Sequence, residues 1–270
     1  MAYSRQFLSA DNFTLAFQRV LRGQNREYKA FFRHLYPSFQ LGLSENARDL
    51  VEAIRRGRYD PSEAVCVYAP KPTGVLRPLR LLTLSDQVVY QAIGNIVANA
   101  FRKQQQKLAF ERSFGAIVGG ATAAFFYRSW KVSYRAFDRQ MVAAFNKGNH
   151  VVADFDLVSF FELIDHRLLR GILAKRVKDD EMLNLLMRCL AKWTEKGSGA
   201  ALGHGIPQGP ETSAFLAECV LFGFDTLRFK GVEYMRYVDD IKLLAKDEVP
   251  VRRALVTLDL ESKRLGLVPQ

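Results

Sequence analysis

The chain has no apolar run approaching the roughly 20 residues that a membrane-spanning helix needs, so no spanning helix is expected. Its first 24 residues mix polar side chains with scattered phenylalanines and hold no continuous apolar stretch, so no secretory leader is expected and the cytoplasm is the expected compartment. Cysteine is scarce. Cys66, Cys189 and Cys219 lie far apart, with neither Cys-x-x-Cys spacing nor a histidine at zinc-ligand distance, and are expected to be reduced core residues. Histidine is also sparse, and no Ser-His-Asp or Cys-His arrangement offers a covalent nucleophile. His34, His150 and His204 have no partner pattern and are expected to be structural or exposed. Acidic residues are outnumbered, 28 against 39 lysines and arginines, and the net charge of +11 points to a polyanionic partner, although an anionic membrane would attract the same charge.

A length of 270 residues with 49% hydrophobic content suffices for a sizeable core, in one large domain or two closely packed subdomains. The spacing predicts a helix over 44–56, with Ser44 as N-cap, Leu50, Val51 and Ile54 as its stripe and Gly57 as its stop. Residues 65–84 alternate like a hairpin whose basic tip holds Lys71 and Gly74. Helical spacing over 86–101 places Val89, Ile93, Val97 and Ala100 on one side, and the aromatic spacing of 114–145 also suggests helix. Val151 to Asp156 alternates like a strand entering a core. Helical patterns follow near Leu168, over 181–193, after Pro210 and over 251–265, where Gly266 is the stop. No repeat, low-complexity tract or clear linker interrupts this order.

Chemistry concentrates at Tyr237-Val238-Asp239-Asp240, where two carboxylates sit between apolar runs that read as hairpin strands. Adjacent acids are commonly solvated turn residues. When half-buried they repel, and a divalent cation relieves that repulsion, with magnesium the natural choice for oxygen ligands. If the turn centres on Val238-Asp239, a β-branched residue occupies a position where glycine or asparagine would be relaxed, which suggests strain kept for function. Antiparallel pairing in one sheet would bring Asp156, at the end of its strand, beside Asp239. Two cations held about 4 Å apart by such carboxylates can drive an in-line displacement at phosphorus.

Three segments then resemble a known family. Residues 152–166 (Val-Ala-Asp-Phe-Asp-Leu-Val-Ser-Phe-Phe-Glu-Leu-Ile-Asp-His), 205–213 (Gly-Ile-Pro-Gln-Gly-Pro-Glu-Thr-Ser) and 237–240 (Tyr-Val-Asp-Asp) are similar, in order and spacing, to the reverse transcriptase segments usually lettered A, B and C. Upstream, Gly74 to Leu79 and Asp86 to Ile93 resemble fingers segments of prokaryotic reverse transcriptases, and Ser113-Phe114-Gly115 resembles the segment that follows. The resemblance runs from about residue 44 to the end. The wording of residues 209–217 and 236–241 is more similar to abortive-infection and defence-associated enzymes than to group II intron or retron enzymes.

The resemblance implies an α+β right-hand polymerase with fingers, an antiparallel palm sheet and no thumb in view. Residues 1–43 would be a helical extension, 44–150 the fingers with part of the palm, and 151–270 the palm. Asp156, Asp239 and Asp240 would be catalytic and, with Leu157, would hold two Mg2+ ions, Mn2+ being an alternative. Asp154, two residues early, reads as a surface or strand-end acid. Lys71, Arg77, Phe161 and Gln208 would bind the nucleotide, Phe161 by leaving no room for a 2′-hydroxyl. Phe161 can equally be read as a core phenylalanine and Gln208 as part of an ordinary proline-glycine turn. Asp165-His166 matches the family wording but reads as a helix start.

The expected activity is RNA-directed DNA polymerisation in antiviral defence, with deoxynucleotides, an RNA template (a dedicated non-coding RNA among the candidates) and a DNA product as partners, and no membrane. The chain resembles the family only as far as the segment before a family lysine and the thumb, so the grip on a duplex would come from a homo-oligomer, a partner or a further domain. An untemplated or protein-primed DNA polymerase, a silent RNA-binding or assembly module and, more distantly, a two-metal nuclease are the competing readings.

Overall fold

Ser9 opens the first helix by accepting the Asn12 amide on its hydroxyl at 3.2 Å, which satisfies a donor that the first helical turn cannot. The structure, a computed structural model, describes residues 3–70, 74–194 and 203–270. Four helices come first: α1 (Ala10–Arg22), α2 (Arg26–Ala30), α3 (Leu35–Leu41) and α4 (Leu43–Arg55). Ser44 is not the cap of α4. That position belongs to Gly42, whose carbonyl accepts the Asn46 amide at 2.8 Å, and the Asn46 side chain reaches back to the Phe39 carbonyl instead.

Strands β1 (Val65–Pro70) and β2 (Leu76–Leu81) pair antiparallel, from Val65 opposite Leu81 to Pro70 opposite Leu76. Cys66 is half-buried there rather than in the core, whereas Cys189 and Cys219 are buried, and all three are free thiols. The next helix, α5 (Leu84–Leu108), is longer than its spacing suggested and is buried continuously from Val88 to Ala98. A one-sided stripe underestimates it because α1 and α10 (Glu211–Thr226) both pack against it. Its buried amides are satisfied: Asn95 Oδ1 accepts Arg19 Nη1 at 2.7 Å and Gln91 Nε2 at 3.0 Å.

Of the aromatic stretch 114–145, only α6 (Trp130–Asn146) and its cap are helical. Residues 109–129 form an irregular segment in which Phe110 and Ala116 have positive φ. Its carbonyls find a partner outside helix geometry, since the buried Arg19 donates to the main-chain oxygens of Gly120, Ala121 and Ala123.

Strand β3 (Val151–Phe155) leads into α7 (Phe160–Leu163), α8 (His166–Ala174) and α9 (Asp180–Thr194). After α10 come β4 (Val232–Tyr237), β5 (Asp240–Ala245) and α11 (Glu248–Arg264). The three strands form an antiparallel sheet in the order β3-β5-β4, with Phe155 opposite Ile241 and Tyr237 opposite Asp240. Alternation sends Phe155, Tyr234, Ile241 and Leu243 into the main core, while Met235 and Leu244 pack with Phe114 and Phe137 under α6. Among the described residues, no helix is long and apolar enough to cross a membrane.

Asp165 caps α8, accepting the Leu168 amide at 2.8 Å, and His166 ties the following loop down, its Nε2 donating to the Gly205 carbonyl at 2.6 Å. Burial pushes the imidazole below its usual pKa. The folded protein therefore binds this proton less tightly than the unfolded chain, and the associated stability, present above about pH 6.5, is lost as pH falls below that value through the lower folded pKa. Denaturant midpoints measured at descending pH should show this loss for the wild type and a flatter profile for His166→Gln, and equal slopes would separate His166 from the transition.

Candidate active site

The β4-β5 connection is a two-residue turn, and its first residue, Val238, has φ 59°. A β-branched side chain pays for this left-handed conformation, which glycine takes freely. Residues 112–115 brace the turn from outside the sheet. The Arg236 amide donates to the Arg112 carbonyl, the Phe114 amide donates to the Arg236 carbonyl, both at 2.9 Å, and Gly115 lies flat against Val238. A Cβ on Gly115 would stand 2.5 Å from the Val238 nitrogen.

Asp239 follows, half-buried. Burial, and next the negative charges of Asp156 and Asp240, push its carboxyl above the usual range. Asp156 sits one residue beyond the last rung of β3, its Oδ1 accepting the Leu157 amide at 2.8 Å. The segment 268–270 continues the pairing: the Gln270 amide donates to the Asp156 carbonyl at 3.0 Å and the Val158 amide to the Val268 carbonyl at 2.8 Å. Asp240 pairs with Lys242 Nζ at 3.2 Å, and the same ammonium meets Asp154 at 2.9 Å. Burial alone would lower the Lys242 pKa, but the bonds to Asp154 and Asp240 raise it.

Asp156, Leu157, Asp239 and Asp240 line one open cleft of ≈ 950 Å³. Arg77, exposed on β2, Phe161 on α7 and Gln208 line the same cleft, so the structure brings these candidates together from four separate segments. Lys71 lies outside the described residues. Phe161 is only partly buried, with its carbonyl accepting the Ile206 amide at 2.8 Å, so the loop bearing Gln208 is tied to the helix bearing Phe161.

Among the described residues, no group of three or more acidic, histidine or cysteine side chains forms a ready cage for a metal. The donor set nevertheless fits a hard divalent cation. Two carboxylates whose charges oppose each other face an open cleft, and magnesium characteristically takes one or two carboxylates and completes its shell with water and substrate phosphate. Asp156 and Asp239 would hold it, with Asp240 paired to Lys242.

Sequence reasoning missed the support of this edge. Tyr28 stands behind Gly209, where any Cβ would overlap its ring, and its hydroxyl accepts the Leu82 amide and donates to the Arg80 carbonyl, each at 3.1 Å. Asn25 Nδ2 donates to the Gly209 carbonyl at 3.1 Å, and the Arg80 amide to the Gln208 carbonyl at 3.0 Å. Beneath the turn, the fully buried Arg236 pairs with two fully buried carboxylates of α10, Glu218 at 2.8 Å and Asp225 at 2.6 Å. Two acids, Glu218 and Asp225, seven residues apart on one face and set among the apolar residues of α10, were the legible signal.

The pattern of the family described as "Reverse transcriptase (RNA-dependent DNA polymerase)" matches residues 69–268. Protein YkfC of Escherichia coli (strain K12) is 28% identical over 187 residues, 69% of this chain and 46% of its own length. The group II intron-encoded protein LtrA of Lactococcus lactis subsp. cremoris is 23% identical over 223 residues, 82% of this chain and 34% of that protein. The chain thus spans less than half the length of these curated relatives. Among solved structures, telomerase from Candida Tropicalis in complex with a fragment of telomeric RNA aligns with TM-score 0.47 at 11% identity, over 78% of this chain and 40% of that one. The apo form truncated from its C-terminal domain gives TM-score 0.46 at 12% identity, over 78% and 51%.

The repulsion at Asp239 makes metal binding measurable by stability alone. Millimolar Mg2+ should raise the melting temperature of the wild type. Asp239→Asn, which removes one of the opposed charges, should melt no lower than wild type without metal and should lose the Mg2+ increment in scanning calorimetry.

Proposed function

The chain belongs to the reverse transcriptase family, with the family's α+β fingers-and-palm fold, and from that premise we propose that it is an RNA-directed DNA polymerase. The observation that carries the proposal is the convergence of Asp156 and Asp239 on one cleft that Phe161, Gln208 and Arg77 also line. Two divalent cations at the carboxylates would supply activation of the attacking hydroxyl and neutralisation of the leaving pyrophosphate. The remaining work falls to the chain's own residues. The primer 3′-oxygen bonds to the α-phosphorus as the bond to pyrophosphate breaks, so primer end and nucleotide must be held in line.

Gln208 and the main chain of its loop contact the incoming nucleotide, and Arg77 meets its phosphates from β2. Tyr28 and Asn25 keep the loop from receding when it is loaded. Phe161 sits under the sugar. The net charge of +11 supports a nucleic-acid partner, and the template is RNA by the family's description. The role in bacterial antiphage defence rests on the wording of residues 209–217 and 236–241, and the cytoplasmic setting on the polar, leader-free pattern of residues 1–24.

Extension of a labelled primer on an RNA template with magnesium tests the proposal. Template-dependent incorporation of deoxynucleotides, abolished in Asp239→Asn, is expected. Synthesis that persists without template would favour an untemplated or protein-primed enzyme, and RNA binding without synthesis would favour an assembly module. Phe161→Ala should raise ribonucleotide incorporation by about tenfold or more relative to deoxynucleotides, on the scale of a steric contact of 1–3 kcal/mol. Unchanged sugar discrimination would return Phe161 to the core.

A further inference from the structure

Arg236 makes a contact that folding alone does not require. Its Nε donates to Asp225 Oδ1 at 2.9 Å, and its Nη2 to Asp225 Oδ2 at 2.6 Å, Glu218 Oε2 at 2.9 Å and Ser113 Oγ at 3.2 Å. Its Nη1 donates to Glu218 Oε1 at 2.8 Å and, from the same nitrogen, to the main-chain oxygen of Val238 at 2.6 Å. All three nitrogens of the guanidinium are thus locked onto α10 carboxylates, and one of them, Nη1, also grips the strained residue immediately before Asp239. Gly115 closes the opposite side of that residue.

We propose that Arg236 is a positioning residue: through the Val238 carbonyl it holds the turn in the left-handed conformation that aims Asp239 into the cleft, with Glu218 and Asp225 fixing the guanidinium and Gly115 completing the clamp. The inference rests on Asp239 being a metal ligand, as under the proposed function. Valine resists positive φ, and the Arg236 guanidinium bonds to its carbonyl, so the shape of the turn is imposed from α10 through this side chain together with the brace of residues 112–115. Residues that orient a metal ligand without touching the metal typically change affinity by 10–100-fold when removed. The same device couples two parts of the cleft, because α10 begins at Glu211, directly after the Gln208 loop, and the arginine joins its far half to the catalytic turn. Lysine cannot replace it, having no planar fork to span two carboxylates and a carbonyl.

The test compares the full chain, Arg236→Lys and Arg236→Lys with Val238→Gly. Mn2+ affinity is measured by electron paramagnetic resonance without nucleotide, alongside affinity for an RNA-DNA primer-template and thermal unfolding. Arg236→Lys is expected to weaken Mn2+ binding by about tenfold or more while primer-template affinity changes by less than about twofold. Adding Val238→Gly should recover most of the lost Mn2+ affinity, since glycine takes the turn conformation without a clamp. Unchanged Mn2+ affinity in Arg236→Lys overturns the proposal, as does a loss that Val238→Gly does not rescue, which is the signature of a merely structural arginine. Should Arg236→Lys not fold, Arg236→Met with Glu218→Met and Asp225→Asn removes the charges together, a change that buried ion clusters tolerate. That variant must show the same weakened Mn2+ binding and the same rescue, and normal affinity overturns the proposal. A wild type that binds no Mn2+ would instead sink the metal reading of Asp239, a failure distinguishable from that of the clamp.

Discussion

Like charges gathered at one edge of a sheet are the constraint that the rest of this protein answers. Asp156, Asp239 and Asp240 converge where β3, the β4-β5 turn and the segment 268–270 meet, and burial combines with mutual repulsion to hold the Asp239 proton more tightly than usual. A chain left to relax would swing one of these acids into water. Here the backbone on both sides is committed elsewhere: the Asp156 carbonyl to Gln270, the Val238 carbonyl to Arg236, and Asp240 to Lys242. The repulsion is retained because these neighbouring groups are tied, and a divalent cation would meet an arrangement already set by folding.

Part of what ties them is a second electrostatic imbalance, hidden below the first. One buried guanidinium faces two buried carboxylates, and burial raises the pKa of Glu218 even though Arg236 lowers it. Such a cluster adds little net stability, while breaking one partner costs about 3–5 kcal/mol because the others are stranded without water. Its value is geometric. Tyr234 donates to Asp225 at 2.9 Å, and Arg112 stacks over the Tyr234 ring at 4.5 Å, so strand β4, helix α10 and the segment 112–115 share a single register. A hydrophobic replacement would pack as well without fixing which oxygen faces the turn.

Legibility in the sequence divides along the same line. The acids at 156, 239 and 240 could be read because each stands in a short contiguous segment with apolar flanks, and the alternation of 151–155 and 241–245 fixed their strands. Cross-chain pairing left weaker traces. The middle of α5, buried all round, reads as a one-sided stripe because Gln91 and Asn95 interrupt its apolar residues, although two helices cover it. The aromatics of 114–129 imitate helical spacing, but the main chain between them is held from outside, the Arg19 guanidinium donating to the Gly120, Ala121 and Ala123 carbonyls from about a hundred residues away. Arg236 alternates with apolar neighbours in a strand and so looks misplaced until Glu218 and Asp225 are seen across from it. Tyr28 gave no signal, because its use depends on the absence of a side chain at Gly209.

The contrast between Asp154 and Asp156 shows how little separates a structural acid from a candidate ligand. Both lie on the same phase of one strand pattern, two residues apart. Asp154 is still within the ladder, where register sets it directly opposite Lys242, and that pairing holds it on the sheet face away from the main core. Asp156 is past the last rung. With no strand residue opposite it, its main chain turns to meet Gln270 and its side chain is released into the cleft. The end of β3 at Phe155 thus separates an acid paired on the sheet from one that faces the cleft.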